Sequence, residues 1–191
     1  MTRIIAGQAR GRTLKTPPGK GTRPTSDRAR EGLFSALGSH LGDGGMPGIR
    51  LIDAYAGSGA VGLEALSRGA AGALLIESDR RAAEVIRGNL DALGLAGGRL
   101  VIDRVEKVAA GACPDAPYDV LFLDPPYALE AKSLAELITD FAEHGWLAAG
   151  ALVCVERAAR DPEWVWPEGF ASLRARAYGE GMLWYGRRRE Q

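Results

Sequence analysis

Arg50-Leu-Ile-Asp-Ala-Tyr-Ala-Gly57-Ser-Gly-Ala-Val-Gly62 opens with a short apolar strand ending at Asp53-Ala54, passes through a glycine loop and enters a helix. Ala60 to Arg68 suits that helix, with Val61, Leu63 and Leu66 apolar, and Ala73-Leu-Leu-Ile-Glu77 is a second strand. Strand, loop, helix and strand in this order predict a βαβ unit with parallel strands. The pattern continues outward. A helix is expected over Arg80 to Leu95, a strand over Leu100 to Asp103 and a short helix over Val105 to Ala112. An almost wholly apolar strand follows at Tyr118 to Asp124, then a helix over Leu134 to Phe141 and a strand over Ala151 to Glu156. Upstream, Ser26 or Asp27 caps a helix running to about His40. Strands alternating with helices imply a parallel sheet covered on both faces. The end departs from this pattern: Ala171 to Tyr178 and Met182 to Arg187, joined by Gly179-Glu-Gly181, read as an antiparallel hairpin.

The N-terminal residues read as two extended pieces, Arg3 to Ala6 and Arg12 to Thr16, turning through Gly7 to Gly11. Pro17, Pro18, Gly19 and Gly21 then form a linker. Residues 1–22 are therefore expected as a hairpin arm, and residues 23–191 as the main domain.

Composition bounds the function. Of 191 residues, 46% are hydrophobic and 25% charged, the balance of a soluble globular protein rather than a disordered one. No run approaches the roughly 20 apolar residues that span a bilayer, and the start lacks a signal peptide's apolar stretch. A cytoplasmic protein is expected. Cys113 and Cys154 stand far apart, which disfavours a disulfide framework or a zinc site, and with only His40 and His144 a metal cluster is not expected. No surplus apolar stripe suggests an oligomer, so a monomer is expected.

The net charge of zero hides an asymmetry. Residues 1–30 carry eight basic groups against Asp27, residues 31–173 are net acidic, and residues 174–191 carry five arginines against two glutamates. A basic segment on an acidic body is the footprint of a polyanion partner, although charge runs are also often merely solvated. Arg187 to Arg189 admit both readings. Trp184 and Tyr185 stack on RNA or, as strand aromatics commonly do, belong to the core.

Gly57-x-Gly59-x-x-Gly62 lets the backbone turn tightly and approach a ligand closely. Glu77, at the end of the second strand, is placed to accept both hydroxyls of a ribose. Together they point to an adenosine-bearing cofactor. The spacing satisfies the dinucleotide fingerprint and so permits NAD. Asp53 tilts the choice. A carboxylate there suits the cationic methionyl end of S-adenosylmethionine (SAM) and repels a pyrophosphate.

Asp124-Pro125-Pro126-Tyr127 closes the fourth strand of the alternating series. The prolines stiffen the turn and remove two donors, leaving acceptors beside an aromatic ring. That set fits a planar base with an exocyclic amine: Asp124 and the Pro125 carbonyl each accept one N–H, and Tyr127 stacks on the ring. Holding both hydrogens aims the nitrogen lone pair at a methyl donor. Positioning then supplies most of the acceleration, without a strong base.

With these elements the chain resembles the RsmD-like 16S ribosomal RNA guanine-N2 methyltransferases. The resemblance rests on Arg3-Ile-Ile-Ala-Gly7, Arg10-Gly-Arg12, Leu14 and Arg23-Pro-Thr-Ser-Asp27-Arg28-x-Arg30-Glu31-x-Leu33-Phe34. It continues through Asp53-x-x-Ala-Gly57-Ser-Gly59, Gly62-Leu-Glu-Ala-Leu-Ser-Arg68-Gly, Glu77 and Asp124-Pro-Pro-Tyr127. It implies a Rossmann-like, seven-stranded class I methyltransferase sheet with an N-terminal β-hairpin arm. It also implies SAM as cofactor, S-adenosylhomocysteine as product, no metal, and methylation of a guanine-966-type base in 16S ribosomal RNA of the small subunit.

The same resemblance implies residue roles. Gly57, Ser58 and Gly59 pass under the cofactor, with Asp53 and Ala54 near its amino end and Glu77 at its ribose. Arg23 and Thr25 close over the methionyl end. Arg3, Arg10, Arg12, Lys15, Arg28 and Arg30 contact RNA. Such enzymes place Asp-Ala or Asn-Ala after the third strand, where this chain reads Ile102-Asp103-Arg104-Val105. Either Asp103 contacts the adenine from one position early, or backbone N–H groups near Arg104 suffice. The turn alone also permits adenine N6 of DNA or an amide acceptor, and a catalytically silent RNA-binding module has the same charge pattern.

Overall fold

The alternating pattern folds as a doubly covered sheet. The computed structural model describes residues 2–18, 26–42 and 45–190. Among these, β1 (Thr2–Arg3) and β2 (Thr13–Leu14) pair as a small antiparallel ladder, and α1 (Asp27–Leu41) follows. Then come β3 (Arg50–Asp53), α2 (Ala60–Ser67), β4 (Gly72–Ile76), α3 (Arg80–Leu93), β5 (Gly98–Val101) and α4 (Val105–Ala109). The chain continues through β6 (Tyr118–Leu123), α5 (Ala131–Glu143), β7 (Leu147–Ala158), β8 (Phe170–Tyr178) and β9 (Gly181–Arg188). The main sheet has the order β5-β4-β3-β6-β7-β9-β8. Pairs from β5 through β7 are parallel, while β9 runs antiparallel to both β7 and β8. The connections leave β3 toward β4 on one side and reach β6 on the other. Such a switch point opens a crevice at the carboxyl ends of the strands.

Alternation along each strand sorts the core. Ile52, Leu74, Leu121, Leu123, Val153 and Val155 face α4 and α5. Leu51, Val120, Phe122, Leu152, Cys154 and Tyr185 face α1 and α2. Successive side chains point to opposite faces, so a strand covered on both sides reads as one apolar run. Tyr185 is thus core, and Trp184 packs against the cluster on the other face.

Several boundaries differ from the sequence expectation for local reasons. α1 starts where Ser26 Oγ accepts the Ala29 N–H at 3.1 Å. α3 stops two residues early, because Gly94 adopts φ 62° and returns its N–H to Leu90 O. β7 is longer than Ala151 to Glu156, since β9 pairs with it from Leu152 to Ala158. β5 ends at Val101, leaving Asp103 in the loop before α4.

The larger departure is at the N-terminus. The extended pieces expected over Arg3 to Ala6 and Arg12 to Thr16 form only two residue pairs. The Ile5 and Ala6 N–H groups turn away from the ladder and donate to the Glu64 carboxylate at 2.7 and 3.0 Å. The hairpin is docked on the body rather than held out from it. Ile4, Ala9 and Leu14 share a core with Leu63, Leu66, Leu75 and Ile86, and burying Ile4 and Leu14 stabilises by about 1.5–3 kcal/mol each. Polar anchors reinforce this contact. Ser67 Oγ donates to Ala6 O at 2.6 Å and accepts the Ala9 N–H at 3.0 Å, and Arg30 donates to Arg3 O at 2.6 Å. No helix among the described residues is long and apolar enough to cross a membrane.

Candidate active site

The crevice at the switch point is a cleft of about 760 Å3, within the ~300–1,000 Å3 range of small-molecule sites. One wall is the loop after β3. Gly57 and Gly59 have φ of 57° and 79°, a left-handed region that favours glycine. Their roles separate. A Cβ at Gly57 would meet nothing within 4 Å, so its backbone faces open space beside the cleft. A Cβ at Gly59 would lie 2.9 Å from Leu75 Cδ2. Gly59 therefore serves helix–sheet packing on that side, and it is not among the residues that line the cleft. Ser58 and Ala54 do line the cleft.

Two carboxylates hold this wall from below. Asp53 Oδ2 accepts the Gly62 N–H at 2.9 Å, and Glu77 Oε2 accepts the Gly57 N–H at 2.9 Å. The other Glu77 oxygen accepts the Asp79 N–H at 2.8 Å. Asp53 is buried, and burial pushes its carboxyl up to about 7. The Gly62 N–H opposes that shift and the negative field of Glu77 adds to it. An arriving cation compensates the buried charge and favours the ionised form.

The facing wall is the turn after β6. Asp124, Pro125, Pro126 and Tyr127 all line the cleft, above Phe122. Tyr127 is 64% exposed, a large aromatic ring presented to solvent at the mouth. Residues at the ends of β3, β4 and β6, from Asp53 to Tyr127, thus meet in one cleft as the sequence predicts, although they are separated by as many as 74 positions. Sequence reasoning missed a third wall, Thr16 and Pro17, which follow the docked hairpin. It also missed Asn89, which joins that wall to the glycine loop. The available signal was a polar residue three positions after Ile86 on the buried stripe of α3.

The expected adenine contact is divided. Arg104 lines the cleft. Asp103 does not: its carboxylate takes the Arg104 N–H at 2.9 Å and Lys107 Nζ at 2.7 Å, and Lys107 holds its pKa below the ordinary range. It borders an adjoining hollow with Ile102 and Arg80, which shares Ser78 and Arg104 with the cleft. Arg23 and Thr25 lie outside the described residues. Of the cations assigned to RNA, Arg3, Arg10, Arg12, Lys15 and Arg28 are exposed. Arg30 is 0% exposed, bonded to Asp27 at 2.8 Å and to Arg3 O, so its expected phosphate contact is corrected to an internal anchor for the hairpin.

A seven-stranded sheet with one reversed strand inside its edge, a glycine loop after β3 and an acidic end to β4 define a class I methyltransferase-type protein. The family described as "Conserved hypothetical protein 95" matches residues 2–187. Ribosomal RNA small subunit methyltransferase D of Escherichia coli K12 is 43% identical over 154 residues, covering 81% of this chain and 73% of that protein. Its namesake in Haemophilus influenzae is 35% identical over 182 residues, covering 93% and 89%. The solved structure of the E. coli protein yhhF superposes with a TM-score of 0.83 at 37% identity, covering 99% and 98% of the two chains. This chain belongs to the ribosomal RNA small subunit methyltransferase D family.

Proposed function

We propose that this protein transfers a methyl group from SAM to the exocyclic N2 of one guanine in 16S ribosomal RNA, of the guanine-966 type, within an assembled or partly assembled small subunit. The observation that carries the reading is one cleft with an adenosine-type wall (Gly57, Glu77, Asp53) facing an amine-acceptor turn (Asp124 to Tyr127). Two relatives named as small-subunit ribosomal RNA methyltransferases support the substrate class.

Bound SAM supplies an electrophilic methyl group. The chain's own groups do the rest. Glu77 meets the ribose hydroxyls, and the ionised Asp53 compensates the positive methionyl end. Asp124 and the Pro125 carbonyl accept the two amine hydrogens of the guanine. Tyr127 stacks on its ring at the mouth, where a base turned out of its helix arrives. Fixing both N–H groups orients the nitrogen toward the methyl group, the kind of positioning that supplies large effective molarities. The nitrogen becomes acidic once methylated, and its proton leaves to Asp124 or to water. Residues 1–22 present Arg3, Arg10, Arg12 and Lys15 to phosphates and complete the cleft with Thr16 and Pro17, while residues 23–191 supply the other walls; the chain acts as a monomer in the cytoplasm and without a metal.

The test uses small subunits from cells lacking the enzyme, methyl-labelled SAM and nucleoside analysis of the digested RNA. Label in N2-methylguanosine is expected. Label in N6-methyladenosine, or in protein only, overturns the acceptor assignment.

A further inference from the structure

Asn89 sits in the middle of α3, only 3% exposed, and its amide makes three hydrogen bonds. Its oxygen accepts the Lys15 N–H at 2.9 Å, and its NH2 group donates to Lys15 O at 2.9 Å and to Ser58 O at 3.0 Å. Both amide hydrogens are therefore committed to two backbone carbonyls that are 43 residues apart in the chain. Lys15 immediately precedes Thr16 and Pro17, and Ser58 follows Gly57. All four of Thr16, Pro17, Gly57 and Ser58 line the cleft. The glycine loop is thus held on one side by Glu77 through Gly57 and on the other by Asn89 through Ser58. A primary amide suits the position, because it joins one acceptor to two donors in a plane. A carboxylate would keep the Lys15 N–H but face two carbonyl oxygens with no hydrogen to share.

We propose that Asn89 is a positioning residue. It fastens the end of the basic hairpin to the glycine loop so that they form one preorganised wall of the cofactor cleft, and it makes the order of residues 14–16, rather than of the whole hairpin, and cofactor affinity depend on each other. The inference rests on the cofactor reading given above. Preorganisation raises affinity by removing the ordering cost at binding, and coupling between two sites is reciprocal. Cofactor in the cleft therefore quiets residues 14–16, and loosening Lys15 weakens the cofactor.

The test measures S-adenosylhomocysteine binding by calorimetry for the wild type, Asn89→Ala, Asn89→Asp and Ser67→Ala, below each protein's unfolding temperature. Ser67 is the comparison because it anchors the same hairpin through Ala6 and Ala9 without touching the glycine loop. Asn89→Ala and Asn89→Asp are expected to weaken binding about tenfold or more, the equivalent of one buried hydrogen bond. Ser67→Ala is expected to stay within about twofold while losing stability. In transfer assays the Asn89 variants are expected to show a raised KM for SAM with kcat nearly unchanged at saturation. Hydrogen exchange on the wild type needs no variant: S-adenosylhomocysteine is expected to slow the Leu14 to Thr16 amides.

Wild-type affinity in both Asn89 variants overturns the proposal. So does an equal loss in Ser67→Ala, or unchanged exchange at residues 14–16 in a wild type that binds. No binding by the wild type overturns the cofactor reading itself, and this inference with it.

Discussion

Glu64→Gln tests whether the hairpin is a fixed part of the body. Glu64 is fully buried, and its carboxylate accepts three hydrogen bonds: Ile5 N–H at 2.7 Å, Ala6 N–H at 3.0 Å and Arg68 Nε at 2.7 Å. Glutamine has the same shape but one oxygen. At least one hairpin N–H then faces an NH2 group, and a buried donor left unpaired costs about 1–3 kcal/mol. The lost negative charge also weakens the hold on Arg68 and on Arg30, whose buried guanidinium lies in the field of Glu64. Breaking one side of a buried ion pair costs about 3–5 kcal/mol. The two effects describe the same group and do not add, so about 3 kcal/mol is expected, or roughly 6–12 °C in Tm for a chain of this size.

Urea unfolding reads the global loss, and hydrogen exchange at residues 4–9 reads the local one. The hairpin amides are expected to exchange about 100-fold faster or more, since each 1.4 kcal/mol is a factor of ten. A loss below about 1 kcal/mol with unchanged protection at residues 4–9 would refute the docked hairpin, because an arm held out in solvent would not register the change.

Asp53 adds a pH dependence. Its carboxyl lies near 7 when folded and near 3.8 when unfolded, so between these values the folded protein keeps a proton that the unfolded chain releases. Its contribution to stability therefore falls as pH rises from about 4 to about 7, by up to ~1.4 kcal/mol per pH unit, and is flat above; urea midpoints of Asp53→Asn lack that slope. S-adenosylhomocysteine, through its cationic amino group, is expected to bind more tightly as pH rises through 7, a trend that calorimetry on Asp53→Asn should not show. Asp124→Ala is expected to lower transfer by at least about 100-fold while S-adenosylhomocysteine affinity changes little; an active variant would remove the proposed role of the turn. Arg10→Ala is expected to reduce the salt slope of RNA binding by about 1. Arg30→Ala is expected to lower the unfolding midpoint and leave that slope unchanged, because its guanidinium is buried.

Features written within a few consecutive residues were legible without a structure. The strand before Gly57, the acid ending the next strand and the Asp-Pro-Pro-Tyr turn each carry their conformation in local chemistry. Parallel βαβ geometry then leaves little freedom over where the strand ends meet. The cleft and most of its walls follow from that. Arg30 was misplaced because charge alone does not tell a surface cation from a buried one. Glu64 and Asn89 interrupt apolar helix faces, a visible oddity, but their partners in the hairpin lie 58 and 74 residues away.

What the sequence determined by itself is the alternating sheet, the glycine loop and the acceptor turn, because periodicity, glycine φ and proline stiffness act over a few residues. Only the tertiary structure decided that the basic hairpin is bolted to α2 and α3 and forms a wall of the cleft. That outcome depends on which buried N–H and C=O groups find partners, and such pairing is satisfied across the whole chain rather than along it.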